Sequence, residues 1–190
     1  MGACDYICIT PQNAKIMKPK ALLLAITSLM LAVSAQAQDI QDTFFDLAFG
    51  SEISADDITA GVGENGEFKY TMDRGKFDEV IFFDTEFDGI KWSLADFYTN
   101  KESKFYRFRV SNNYTDREQA VALYDAVKAQ LDEKYKLRYT KGGGDNILNR
   151  YDGDNDIKLM LTFNLQTSLG GDSFYYVTLD YIQWTLYQSL

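Results

Sequence analysis

Between Asp156 and Leu165 every second residue is apolar: Ile157, Leu159, Leu161, Phe163 and Leu165 alternate with Lys158, Met160, Thr162 and Asn164. A strand sends successive side chains to opposite faces, so this run can bury one face in a core while the other stays mostly polar. Turn residues bracket it, Asp152-Gly153-Asp154-Asn155 before and Gly170-Gly171-Asp172 after, and a closing strand is expected over 174–184. Upstream, Asp73-Arg74-Gly75 and Asp88-Gly89 divide the chain into strand-sized pieces at about 68–72, 79–84, 90–98 and 105–111. Shorter pieces at 137–140 and 147–151 flank Gly142-Gly143-Gly144-Asp145, which reads as a connector because phosphate-cradling glycine loops need other spacings and contexts.

Two helices punctuate these strands. Ser54 with Asp57 three residues later forms a helix-opening box, and Gly61 and Gly63 close that short helix. The longer one opens at Thr115-Asp116-Arg117-Glu118 and carries Ala120, Tyr124, Val127 and Leu131 on one face, with Lys134 and Lys136 near its C-terminal end. Strand runs joined by tight turns on either side of one long helix predict an α+β domain: an antiparallel sheet with two helices packed on one face, in two layers. Each half reads as a helix followed by strands, which hints at an internal duplication.

Ahead of this domain, Lys18-Pro19-Lys20 precedes the apolar run Ala21 to Val33, and Ala35 and Ala37 satisfy the small-residue rule of signal peptidase. Residues 1–37 are therefore expected to be a signal peptide, with translation starting at Met17 and the mature domain spanning 38–190. The apolar run is shorter than the roughly 20 residues of a membrane span, so no membrane anchor is expected after cleavage, and the protein is expected in the periplasm or outside the cell. Both cysteines, Cys4 and Cys8, lie in front of the leader, so the domain is held by its core and not by disulfides.

Acidic residues number 28 against 19 basic ones, and the leader removes more positive than negative charge. Nucleic-acid binding depends on neutralising phosphates with Lys and Arg, so no nucleic-acid partner is expected. The chain contains no histidine, which excludes Ser-His-Asp and Cys-His nucleophile arrangements and leaves the domain without imidazole or thiolate zinc ligands. No cofactor is expected. Asp152, Asp154 and Asp156 space carboxylates as a calcium loop would, but Ile157 and Phe163 stand where such a loop needs Gly and Glu, so a hairpin turn is the favoured reading and no metal is assigned. Asp78, Glu79, Asp84, Glu86, Asp88 and Asp96 crowd one region, a density that an acidic, solvated surface also produces.

What distinguishes the domain is its aromatic content on strands. In the stretch 105–110, strict alternation puts Tyr106, Phe108 and Val110 on one face and Phe105, Arg107 and Arg109 on the other. If helices cover one side of the sheet, part of this set is forced to the open side, and Trp92, Tyr106, Phe108 and Tyr176 are the expected binding residues, since exposed aromatic residues make contact hot spots.

The run Phe44 to Ser51 before a short capped helix, Gly89-Ile90-Lys91-Trp92, and Phe105-Tyr106-Arg107-Phe108 ahead of the long helix resemble small uncharacterised secreted proteins of Bacteroidetes-type bacteria. The helix-then-sheet order is also similar to the modules of secreted β-lactamase inhibitor proteins, which bind through an aromatic-rich sheet face; their paired cysteines are missing here, so the likeness concerns the fold alone. Together these features predict a non-enzymatic binding module for a protein, peptide or glycan. The alternatives are a carboxylate-based hydrolase of extracellular polymers, with two acids in a cleft, and a structural envelope protein whose apolar face closes a homodimer.

Overall fold

The computed structural model describes residues 39–190 apart from Asp154 and Leu169, so the expected leader and its cleavage residues Ala35 and Ala37 lie outside the described residues. The chain first makes a small hairpin, β1 (Thr43–Phe44) and β2 (Leu47–Ala48), whose two turn residues Phe45 and Asp46 both have positive φ, 51° and 65°. That turn geometry matches the twist of the flanking strands. Helix α1 (Ala55–Val62) follows with its box closed both ways: the Asp57 N–H donates to Ser54 Oγ, and the Ser54 N–H donates to the Asp57 carboxylate at 2.8 Å. After a short 3₁₀ turn come β3 (Glu67–Asp73), β4 (Phe77–Phe87), β5 (Ile90–Asn100) and β6 (Phe105–Tyr114).

Helix α2 (Arg117–Lys134) begins one residue later than the sequence suggests. Its cap is Asp116, whose side chain accepts from the Glu118 N–H, and not Thr115. Then come β7 (Leu137–Gly143), β8 (Asn146–Asp152), β9 (Ile157–Thr167), β10 (Ser173–Gln183) and α3 (Trp184–Gln188). Gly142 and Gly143 belong to β7 instead of a loop, and the hairpin turns at Gly144-Asp145. Gly142 has a φ of 88°, and a Cβ there would fall 2.1 Å from the Asn146 carbonyl oxygen. Trp184, expected to end the last strand, opens a third helix, a short one, where Asp156 accepts from the Trp184 N–H through its carbonyl and from the Thr185 N–H through its carboxylate.

Eight strands form a single antiparallel sheet in the order β3-β4-β5-β6-β10-β9-β8-β7. Each half of the described residues thus contains one helix followed by a four-strand meander, and the halves join where the last strands of both, β6 and β10, pair from Arg107↔Ile182 to Tyr114↔Tyr175.

One side of the sheet meets the core. There α2 lies against β6, β9 and β10 and inserts Ala120, Tyr124, Val127 and Leu131. The buried Tyr124 hydroxyl is satisfied by Asn149 Nδ2 of β8, and Asn149 Oδ1 accepts in turn from Thr140. Closing such a network inside the core avoids the cost of an unpaired buried polar group. Ile58 and Val62 of α1 enter the same cluster, as do Val177, Leu179 and Tyr181 of β10.

Two irregularities decide which aromatic rings join that core. The β5–β6 register moves between Tyr98↔Arg107 and Thr99↔Phe105, so β6 carries one extra residue at Tyr106. Such a bulge reverses the alternation. Phe105 therefore joins Phe108 and Val110 inside, and Tyr106 falls with Arg107 and Arg109 on the other side, which corrects the strict alternation expected for 105–110. The second irregularity is Asp84, at a φ of 51°, after which Thr85 and Phe87 turn to the core and Trp92, paired opposite Thr85, follows them.

Candidate functional site

Opposite the core side, the sheet is hollowed. A concavity of about 730 Å³ runs across β5 to β10, and every residue lining it belongs to a strand. Its floor follows from register. Leu94, Ser111, Thr178, Thr162, Leu148 and Lys141 stand side by side on six neighbouring strands, each paired with the next. Three small hydroxyl residues thus occupy the centre of the row, and larger side chains hold its ends. Along one flank the next row is Asp96, Arg109, Asp180, Met160 and Arg150. Along the other it is Tyr176, Asn164 and Asn146. Small side chains between two rows of longer ones make the trough.

The charged flank is ordered by diagonal pairing. Asp180 faces Arg109 in register, yet its carboxylate accepts from Nε and Nη2 of Arg107 at 2.8 and 2.6 Å. Arg109 turns to β5 instead and donates through Nε to Asp96 at 2.8 Å, with Glu79 3.8 Å away. Glu79 is also held by Arg74 at 2.7 Å. Both guanidinium groups lie over the ring of Tyr98, at 4.8 and 5.4 Å. Each arginine keeps Nη1 outside its carboxylate fork and is partly exposed, 22% for Arg107 and 30% for Arg109.

Desolvation decides the direction of the shift at Asp96, Tyr98 and Tyr106. Burial holds the Asp96 carboxyl above its ordinary 3.8 despite Arg109, and its Oδ1 makes no hydrogen bond among the described residues. Burial likewise pushes Tyr98 far up, and Tyr106 up to about 12. A carboxyl raised in the folded state adds stability that is fully present below its unfolded value and is lost as pH rises through the folded one. Wild type should therefore lose stability relative to Asp96→Asn as pH climbs from about 4 towards 7. Urea midpoints of both proteins across that range test this, and a constant difference would refute it.

Of the sequence-predicted binding residues, only Tyr176 lines the trough. Trp92 and Phe108 sit in the core, the Trp92 indole N–H donating to the Phe87 carbonyl at 3.3 Å. Tyr106 lies on the trough side but is buried at one end, its ring 6.3 Å from Tyr187 of α3. The aspartates of the supposed calcium loop are engaged separately. Asp152 accepts from Arg150 at 2.8 Å, Asp156 accepts from the Thr185 N–H at 2.7 Å, and Asp154 lies outside the described residues. Between them Asn155 pins the start of the described chain, donating to the Ile40 carbonyl and accepting from its N–H. Among the described residues, no group of three or more acidic, cysteine or histidine side chains is placed to hold a metal.

The residues that sequence reasoning missed are the hydroxyl row and the two arginines. Their signal was present as polar residues at alternate positions, Arg107, Arg109 and Ser111 in one strand, Thr162 and Asn164 in a second, and Thr178 and Asp180 in a third. Comparison of the chain with models of known protein families, with curated proteins and with solved structures finds no match.

Proposed function

We propose that this protein is an exported, non-enzymatic binding module that holds its ligand in the trough, with α1 and α2 forming a second layer on the core side of the sheet. The observation that carries this reading is the row Ser111, Thr178 and Thr162, three small hydroxyl side chains that leave a hollow between taller neighbours. Its volume lies within the roughly 300–1,000 Å³ typical of ligand sites. Polar side chains half-exposed along both flanks can orient a ligand, and Leu94 and Leu148 add apolar surface on either side of the hydroxyl row.

Hydrolysis is the less favoured reading. Only one acid, Asp180, lines the trough among the described residues, and Arg107 closes both of its oxygens. Hydrolysis by carboxylates needs two acids in reach of one bond. The crowded acids of 78–96 are mostly spent elsewhere: Asp78 on Lys101, Glu79 on Arg74, Asp88 on Lys134 and Asp96 on Arg109.

Filling the hollow tests the reading. Thr178→Trp places a large ring over the row from a half-exposed central position, whereas Lys69→Glu alters the distant edge strand β3. Capture of partners from envelope and culture extracts of the host should fall at least about tenfold with Thr178→Trp and persist with Lys69→Glu, both variants melting as wild type does. Undiminished capture by a folded Thr178→Trp protein would sink it.

A further inference from the structure

We infer that the ligand of the trough is an acidic peptide segment bound in extended form, an inference that rests on the trough reading. Length comes first. Six strands spaced about 4.8 Å apart give a floor of roughly 24 Å, which matches about seven extended residues at 3.3 Å each.

Charge sets the sign. In a chain with 28 acidic and 19 basic residues, the trough lining reverses the balance, with Arg107, Arg109 and Lys141 against Asp180 alone. Arg107 and Arg109 stand two residues apart on β6, each with Nη1 outside its existing carboxylate fork. Lys141 at the far end is exposed and forms no ion pair among the described residues. Cations on the β6 flank and at the β7 end of a groove, on an otherwise acidic surface that repels acidic chains, select for an acidic segment laid along it.

The neutral lining separates peptide from glycan. Asn146, Asn164 and Gln166 offer amide donors and acceptors suited to a peptide backbone, and Leu94 and Leu148 offer contacts for aliphatic side chains. Tyr176 is the one lining aromatic ring with exposed surface, since Phe163 is buried. A glycan chain of that length would call for more stacking faces.

The test is selection of a random twelve-residue peptide library displayed on phage against the full chain and its Thr178→Trp and Lys141→Glu variants. Peptides enriched in Asp and Glu at least threefold over the input, lost with Thr178→Trp and bound roughly three- to tenfold more weakly by Lys141→Glu, are the expected result. Uncharged or basic peptides that bind wild type and are lost with Thr178→Trp would overturn the acidic class and leave the trough standing. Peptides that bind Thr178→Trp as well as wild type would overturn the trough itself. An unenriched pool, beside polygalacturonate binding that Thr178→Trp abolishes, would replace the peptide by an acidic glycan.

Discussion

Phe108→Ala will destabilise the protein by about 3–5 kcal/mol, the range for removing a fully buried aromatic ring. Phe108 is wholly inaccessible and lies at the meeting point of the aromatic core, with ring centroids of Phe44, Phe97 and Phe87 at 4.7, 4.8 and 4.9 Å. Those rings come from three separate elements, β1, β5 and β4, so no single neighbour can move in and close the cavity. For a domain of about 150 residues the loss corresponds to a fall of roughly 10 °C or more in melting temperature. Phe108→Leu should restore most of it. A Phe108→Ala protein that melts like wild type but no longer captures its partner would instead place this ring on the ligand side.

Arg109→Ala is the second large effect, again about 3–5 kcal/mol, because truncation leaves a buried carboxylate without its counter-ion. Asp96 is 1% exposed and Glu79 beside it 4%, and among the described residues Arg109 is the one side chain that forms an ion pair with Asp96. The double variant Arg109→Met with Asp96→Leu should recover most of the loss, since an apolar pair of similar volume carries no desolvation cost. The coupling energy from the four urea denaturation curves measures this directly. The single variant should also suffer less near pH 4 than at pH 7, because burial already holds the Asp96 carboxyl above its ordinary value and protonation removes the need for a counter-ion. A single-variant cost below about 1 kcal/mol would mean that the pair behaves as an exposed one.

Phe108 and Arg109 are adjacent, an aromatic and an arginine in a short amphipathic run. Alternation alone assigned Tyr106 and Phe108 to one face. The bulge at Tyr106 separates them, sending one under α3 and the other into the core. A bulge adds one residue to one strand, and nothing in the local pattern of 105–110 marks where it falls, because it is fixed by the partner strand. Trp92 is a similar case: its direction depends on the left-handed backbone of Asp84 across the β4–β5 pair.

The sequence by itself determined the periodic elements: the half-buried strand at 157–165, the apolar face of α2 at Ala120, Tyr124, Val127 and Leu131, the Ser54 box, and an antiparallel α+β order read from short turns. These are local facts, set by side-chain period and turn chemistry over a few residues. Only the tertiary structure decided that β6 pairs with β10, and that pairing brought Ser111 beside the Thr162–Thr178 pair of the β9–β10 hairpin, which lies some 50 to 70 residues further along the chain. The same pairing gave Asp180 to Arg107 and left Arg109 for Asp96. A trough across strands is a property of register between distant segments, and register is fixed by packing of the whole sheet against its core rather than by any one segment's composition.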